Sequence, residues 1–143
     1  MPLAMRRNSR SLPPERRRVV LDEDINWKLV YELQRRGRSD ATALSRLGID
    51  GKVDGALFKA LAQGDYEPFV LVTWDNKMLE VHSAEIEHHR TTIAVVDEAA
   101  FKRSGRPESE QEPYIRDVVH RWLHRIEILP AGSTRTYSPS GSH

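Results

Sequence analysis

The chain has 143 residues, 30% of them charged and 38% hydrophobic, with eight glycines, eight prolines and no cysteine. That length suits one domain with an appreciable core. Lack of cysteine excludes disulfides, iron–sulfur clusters, thiolate zinc sites and a thiol nucleophile. The net charge of +1 conceals an asymmetry, because residues 1–18 hold six arginines against one glutamate and the remainder is acidic. A basic arm attracts nucleic acid by releasing counterions, or is simply a solvated terminus. No apolar run approaches the roughly 20 residues that span a bilayer, and the first ten residues lack the apolar stretch of a secretory signal. The expectation is a cytoplasmic protein without a membrane partner.

Residues 1–18 are expected to be a basic, flexible leader, 19–129 the folded domain and 130–143 a flexible tail. Arg18-Val19-Val20-Leu21 is short, apolar and β-branched, and stops at Asp22-Glu23-Asp24. It predicts a buried strand with an acidic carboxyl end. Ile25, Leu29, Val30 and Leu33 then recur at helical spacing, with Asp24 as the expected N-cap and Gly37 as the stop. Residues 40–44 suit a short strand or part of a helix. A second helix is predicted over 53–62. Phe69-Val70-Leu71-Val72-Thr73 is the clearest strand and runs directly into Trp74-Asp75. A short helix over 83–90 precedes another apolar strand, 92–96, which ends in Asp97. The Gly/Pro/Ser/Glu-rich stretch 104–113 predicts a surface connection. Tyr114, Ile115, Val118, Val119, Trp122, Leu123 and Ile126 then define the apolar stripe of an amphipathic C-terminal helix.

Strands alternating with helices predict a mainly parallel sheet covered on both faces. Ligands of such sheets bind beyond the carboxyl ends of the strands. Three of these strands end in acids: Asp22, Asp75 and Asp97. Carboxylates drawn to one rim repel unless a proton or cation neutralises them, which points to a metal.

Val19-Val20-Leu21-Asp22-Glu23-Asp24-Ile25, Val53-Asp54-Gly55-Ala56-Leu57 and Val70-Leu71-Val72-Thr73-Trp74-Asp75 together resemble the PIN-like nuclease superfamily, and more narrowly its small VapC-type toxin-like members. The resemblance runs from about residue 19 to 101. It implies a three-layer α/β/α domain. It also implies an endoribonuclease that uses Mg²⁺ or Mn²⁺ and leaves a 3′-hydroxyl and a 5′-phosphate. The further implication is a bacterial toxin, held by an antitoxin that covers the acidic cleft, with homodimerisation as a family habit. By resemblance Asp22 ends the first strand, Asp54 opens the helix before the next, and Asp75 belongs to a Thr-x-Asp element. Asp22 and Asp75 are then direct ligands, Asp54 a ligand or the holder of a metal-bound water, and Asp24 the holder of an outer water. Thr73 steadies the strand end or a phosphate, and Arg121 is a candidate for the rim. An acid that many members carry on an early second helix has no counterpart in a matching motif here; Asp40 and Asp50 are available.

Other readings use the same residues. Asp22-Glu23-Asp24 suits the D-x-D of aspartyl phosphatases, and Asp75 suits the phosphoacceptor of a receiver domain. A catalytically silent binding module would dock through Tyr114 and Trp122, although Trp122 is expected in the core. His120 and His124 stand four apart, a spacing zinc uses, with no third ligand evident. His82, His88 and His89 are expected to be exposed. Trp27 is expected to pack at a helix end, with base stacking as its alternative. If the leader arginines serve RNA, they do so as diffuse phosphate contacts.

Overall fold

A computed structural model describes residues 16–49 and 55–143. Among the described residues, six strands form one sheet: β1 (Arg18–Leu21), β2 (Thr42–Ala43), β3 (Phe69–Thr73), β4 (Ile93–Val96), β5 (Thr134–Ser138) and β6 (Gly141–Ser142). Their order is β2-β1-β3-β4-β5-β6. All neighbours are parallel except the β5–β6 pair. The helices are α1 (Lys28–Arg35), α2 (Ala56–Gln63), α3 (Asn76–Val81), α4 (Ser83–His89), α5 (Glu98–Arg103) and α6 (Gln111–Ile126).

The central strands are apolar at every position because both sheet faces are covered. Successive side chains point to opposite faces. Val19, Leu21, Val70, Val72, Ala94 and Val96 join a core with α1, α5 and α6. Val20, Phe69, Leu71, Ile93 and Val95 join a second core with α2 and Ile86 of α4. The result is a three-layer arrangement with the sheet between two helical layers.

Helix α1 stops as the sequence predicts. Gly37 has φ of +91°, and its amide and that of Arg38 donate to the carbonyls of Gln34 and Leu33. This paired closure favours glycine because only glycine adopts that backbone without strain. The other end differs. Asn26, rather than Asp24, turns the chain into the helix, its Oδ1 accepting from the Lys28 amide at 2.9 Å. Asp24 is left for the cleft.

The ends of the chain depart further from expectation. Residues 130–143 are not a loose tail, since 134–138 and 141–142 complete the sheet. Tyr137 is buried against Trp122, whose indole N–H donates to the Ser138 carbonyl at 2.7 Å. The segment reads as polar because Thr134 and Arg135 face solvent. Helix α6 is therefore followed by two strands and does not close the domain. Arg16, Arg17 and Arg18, expected to be leader, are bound to the body. Arg17 donates to the Leu129 carbonyl at 2.7 Å and pairs with Glu67 at 3.1 Å. Arg18 donates to the Asp40 carbonyl at 2.8 Å. Residues 1–15 lie outside the described residues, as do Asp50 and Asp54.

Candidate functional site

Reversal of strand order between β1 and β3 opens a crevice where the chain leaves these two strands in opposite directions, the usual ligand position of such sheets. Leu21 pairs with Val72, so the next residues, Asp22 and Thr73, arrive together at the carboxyl rim. Thr73 is fully buried, and its hydroxyl donates to Asp22 Oδ2 at 2.7 Å. The Thr73 hydroxyl oxygen in turn accepts the amide of Asp75 at 3.1 Å. Asp22 Oδ1 accepts the Glu23 amide at 2.8 Å. Asp75 caps α3, its Oδ1 accepting from the Met78 amide at 3.1 Å. One hydroxyl thus ties together the two acids that the sequence singles out, and each carboxylate oxygen has lone-pair capacity left.

The electrostatics are unfavourable for the site by itself. Burial raises the pKa of Asp22, with Glu23 and Asp75 adding repulsion against the opposing hydrogen bonds. Asp24 is exposed at the rim, yet desolvation of its inward side, followed by repulsion from Asp22 and Asp75, pushes it up to about 7. Its Oδ2 also accepts a long, 3.4 Å bond from the Trp74 amide. Trp74, Phe101 and Tyr114 form a ring cluster, with centroids 5.0–6.0 Å apart, that braces the end of β3 from behind.

Asp22, Glu23 and Asp24 form the ridge between two clefts. One, of about 530 Å³, extends past Trp27 and Glu32 to Glu112 and Arg116. The other, of about 400 Å³, holds Asp75, Lys77 and His82, with Gly55 at its edge. The latter places the start of α2 beside the acids. Asp54, the neighbour of Gly55 in the sequence, lies outside the described residues.

Several other candidates are placed elsewhere. Asp97 is buried and caps α5, its Oδ1 accepting from the Ala100 amide at 3.0 Å. Arg121 lies in a separate depression with Arg106 and Asp117, where it donates to the Pro139 carbonyl at 2.6 Å. Arg116, five residues earlier on α6, is the arginine of this helix that reaches the acidic cleft. His120 contacts Arg36 at 2.6 Å and Glu32 at 3.5 Å. Among the described residues no trio of acids or histidines stands ready to enclose a metal. Trp27, expected to pack, is 53% exposed. Trp122 meets expectation by packing against the core.

Fold and site together define an α/β domain with an acidic crevice at its topological switch point. No family model, curated protein or solved structure matches the chain. Among the described residues no helix is long and apolar enough to cross a membrane.

Proposed function

We propose that the chain is a Mg²⁺- or Mn²⁺-dependent endoribonuclease of the PIN-like kind, serving as the toxin of a toxin–antitoxin pair. The observation that carries the nuclease reading is the Thr73 hydroxyl, hydrogen-bonded to both the Asp22 carboxylate and the Asp75 amide at the switch-point rim. The donor set suits a hard cation. Mg²⁺ keeps several waters and needs few protein carboxylates, so a preformed cage is not required. Asp22 and Asp75 would hold the ion, with Asp54 completing the set directly or through water. When bound, the ion lowers the pKa of a water and offsets charge developing on the phosphoryl oxygens.

The chain's own residues have distinct tasks. Thr73 fixes the orientation of Asp22. Asp24, at the rim beside the two acids and held by the Trp74 amide through Oδ2, would accept the proton that the attacking water gives up. Attack of the water at phosphorus forms the new P–O bond and breaks the bond to O3′, which takes a proton from solvent, leaving a 3′-hydroxyl and a 5′-phosphate. The toxin role, an antitoxin that covers the cleft and a homodimer rest on the sequence resemblance alone.

Asp22→Asn tests the nuclease reading. It should abolish Mg²⁺- or Mn²⁺-dependent cleavage of total RNA while leaving the fold intact. Cleavage by the wild-type protein that persists in excess EDTA would overturn the reading.

A second reading draws on the strand order. The order β2-β1-β3-β4-β5 is also that of receiver domains, and Asp75 lies near the phosphoacceptor's place at the end of β3. Against it, β5 runs into Pro139 rather than a lysine. An aspartyl phosphate trapped on Asp75 would favour this second reading.

A further inference from the structure

Trp27 and Tyr31 are 53% and 44% exposed, and stand four residues apart where the chain enters α1. Their rings meet edge to face, with centroids 5.6 Å apart and planes at 84°. The Arg46 guanidinium lies over the Tyr31 ring, 4.8 Å from its centroid. Two adjoining exposed rings make a contiguous apolar patch rather than a scattered residue, and contiguous patches mark interaction sites. A depression of about 490 Å³ runs along this face, lined by Trp27, Lys28, Tyr31, Glu32, Arg35 and Arg116. Its acid, Glu32, is already engaged by Arg116 at 3.8 Å and His120 at 3.5 Å. Trp27, Glu32 and Arg116 also line the larger acidic cleft, so the two surfaces are continuous.

We propose that this face is a stacking platform for the unpaired bases of an RNA strand whose scissile phosphate enters the acidic cleft. The proposal rests on the nuclease reading for the direction of the strand, and on the aromatic–cation surface for binding. Trp27 stacks a base. Lys28, Arg35 and Arg46 contact the backbone that carries it. A base in a duplex is already stacked and paired, so an aromatic face has little to offer it; a single strand presents free π-faces. With Glu32 offset by Arg116, the remaining cations of this face, Lys28, Arg35 and Arg46, suit a polyanion. A two-fold contact with a second copy would bring those like charges together.

The test uses the full chain and a 5′-fluorescein-labelled, unstructured 12-nucleotide RNA. Binding is followed by anisotropy with Ca²⁺ in place of Mg²⁺, and cleavage is followed separately with Mg²⁺. The single strand should bind more tightly than the same sequence in a duplex. Trp27→Ala should weaken binding roughly 10- to 100-fold, and Tyr31→Ala by a smaller factor. Trp27→Phe should keep most of the affinity. Melting temperatures should stay near that of the wild type, because both rings are exposed. Unchanged affinity in Trp27→Ala, equal binding of duplex and single strand, or an effect of Trp27→Ala on self-association instead of RNA binding would overturn the platform. Asp22→Asn separates the two proposals. If it cuts nothing while Trp27→Ala binds normally, the platform fails and the nuclease reading stands. If it cuts at the wild-type rate while Trp27→Ala loses RNA, the platform stands and the nuclease reading fails.

Discussion

The Thr73 hydroxyl donates to Asp22 Oδ2 at 2.7 Å from a fully buried position, and in turn accepts the Asp75 amide at 3.1 Å. This joins the ends of β1 and β3 through one oxygen. Thr73→Val keeps the shape and removes both bonds. It should cost about 2 kcal/mol, the range for a buried bond to a charged group. It should also reduce metal affinity and cleavage on the order of 10- to 100-fold, as losing a residue that orients a ligand commonly does. Thr73→Ser should restore most of both. Urea unfolding paired with cleavage rates checks this; a Val variant that is destabilised yet cuts normally would make Thr73 purely structural.

Asp24 makes metal-free stability depend on pH. Its carboxyl is raised from the usual 3.8 to about 7 in the folded chain, so the native state holds the proton more tightly than the unfolded state does. The stability gained is complete below about pH 4 and is lost as pH rises through about 7. Asp22 shifts in the same direction. In EDTA the melting temperature of Asp24→Asn should therefore fall less between pH 5 and 7.5 than that of the wild type. Saturating Mg²⁺ should flatten the wild-type curve as well. Identical pH slopes for the two proteins in EDTA would show that neither desolvation nor the charge of Asp22 and Asp75 raises the Asp24 carboxyl.

Glu127 is almost fully buried and ion-paired with Arg38, while Arg16 stands 3.7 Å away and is half-exposed. The pair joins the turn after α1 to the end of α6. Arg38→Ala would leave a buried carboxylate without its principal partner, and should destabilise the domain by about 3 kcal/mol. Arg38→Met combined with Glu127→Leu should recover most of that loss, because the charge and its desolvation cost disappear together. Chemical denaturation of the three proteins measures it.

What was legible in the sequence follows from how local each signal is. Val19, Val20 and Leu21, and likewise Phe69 through Thr73, announce strands because doubly covered strands are apolar at every position. The acids that follow them share a rim because parallel neighbours in register share an end. Gly37 announces a helix stop through its backbone alone. The strand at 134–138 was not legible, because partial exposure gives it a polar composition. Nor was the anchoring of Arg16, Arg17 and Arg18, whose partners lie more than 20 residues away at Asp40, Glu67, Glu127 and Leu129. Trp27 misled for a related reason. Its apolar neighbours Ile25 and Leu29 turn inward while it faces water, and the turn made by Asn26 sets that difference.

Arg116 and Arg121 have the same charge and lie on the same helix, yet the structure gives them different surroundings. Arg116 lines both the acidic cleft and the aromatic face, whereas Arg121 reaches toward Pro139 in a depression of its own. A cation beside a bound backbone contributes counterion release, and one on a separate surface does not. Arg116→Glu should weaken RNA binding several-fold and make the salt dependence shallower by roughly one phosphate contact. The new carboxylate would also stand close to Glu32, which adds repulsion in the same direction. Arg121→Glu should leave both quantities near the wild type. Binding of the 12-nucleotide RNA across a salt series, measured for both variants, decides it. A larger loss for Arg121→Glu than for Arg116→Glu would move the RNA path from the acidic cleft to the face formed by α6 and the chain after β5.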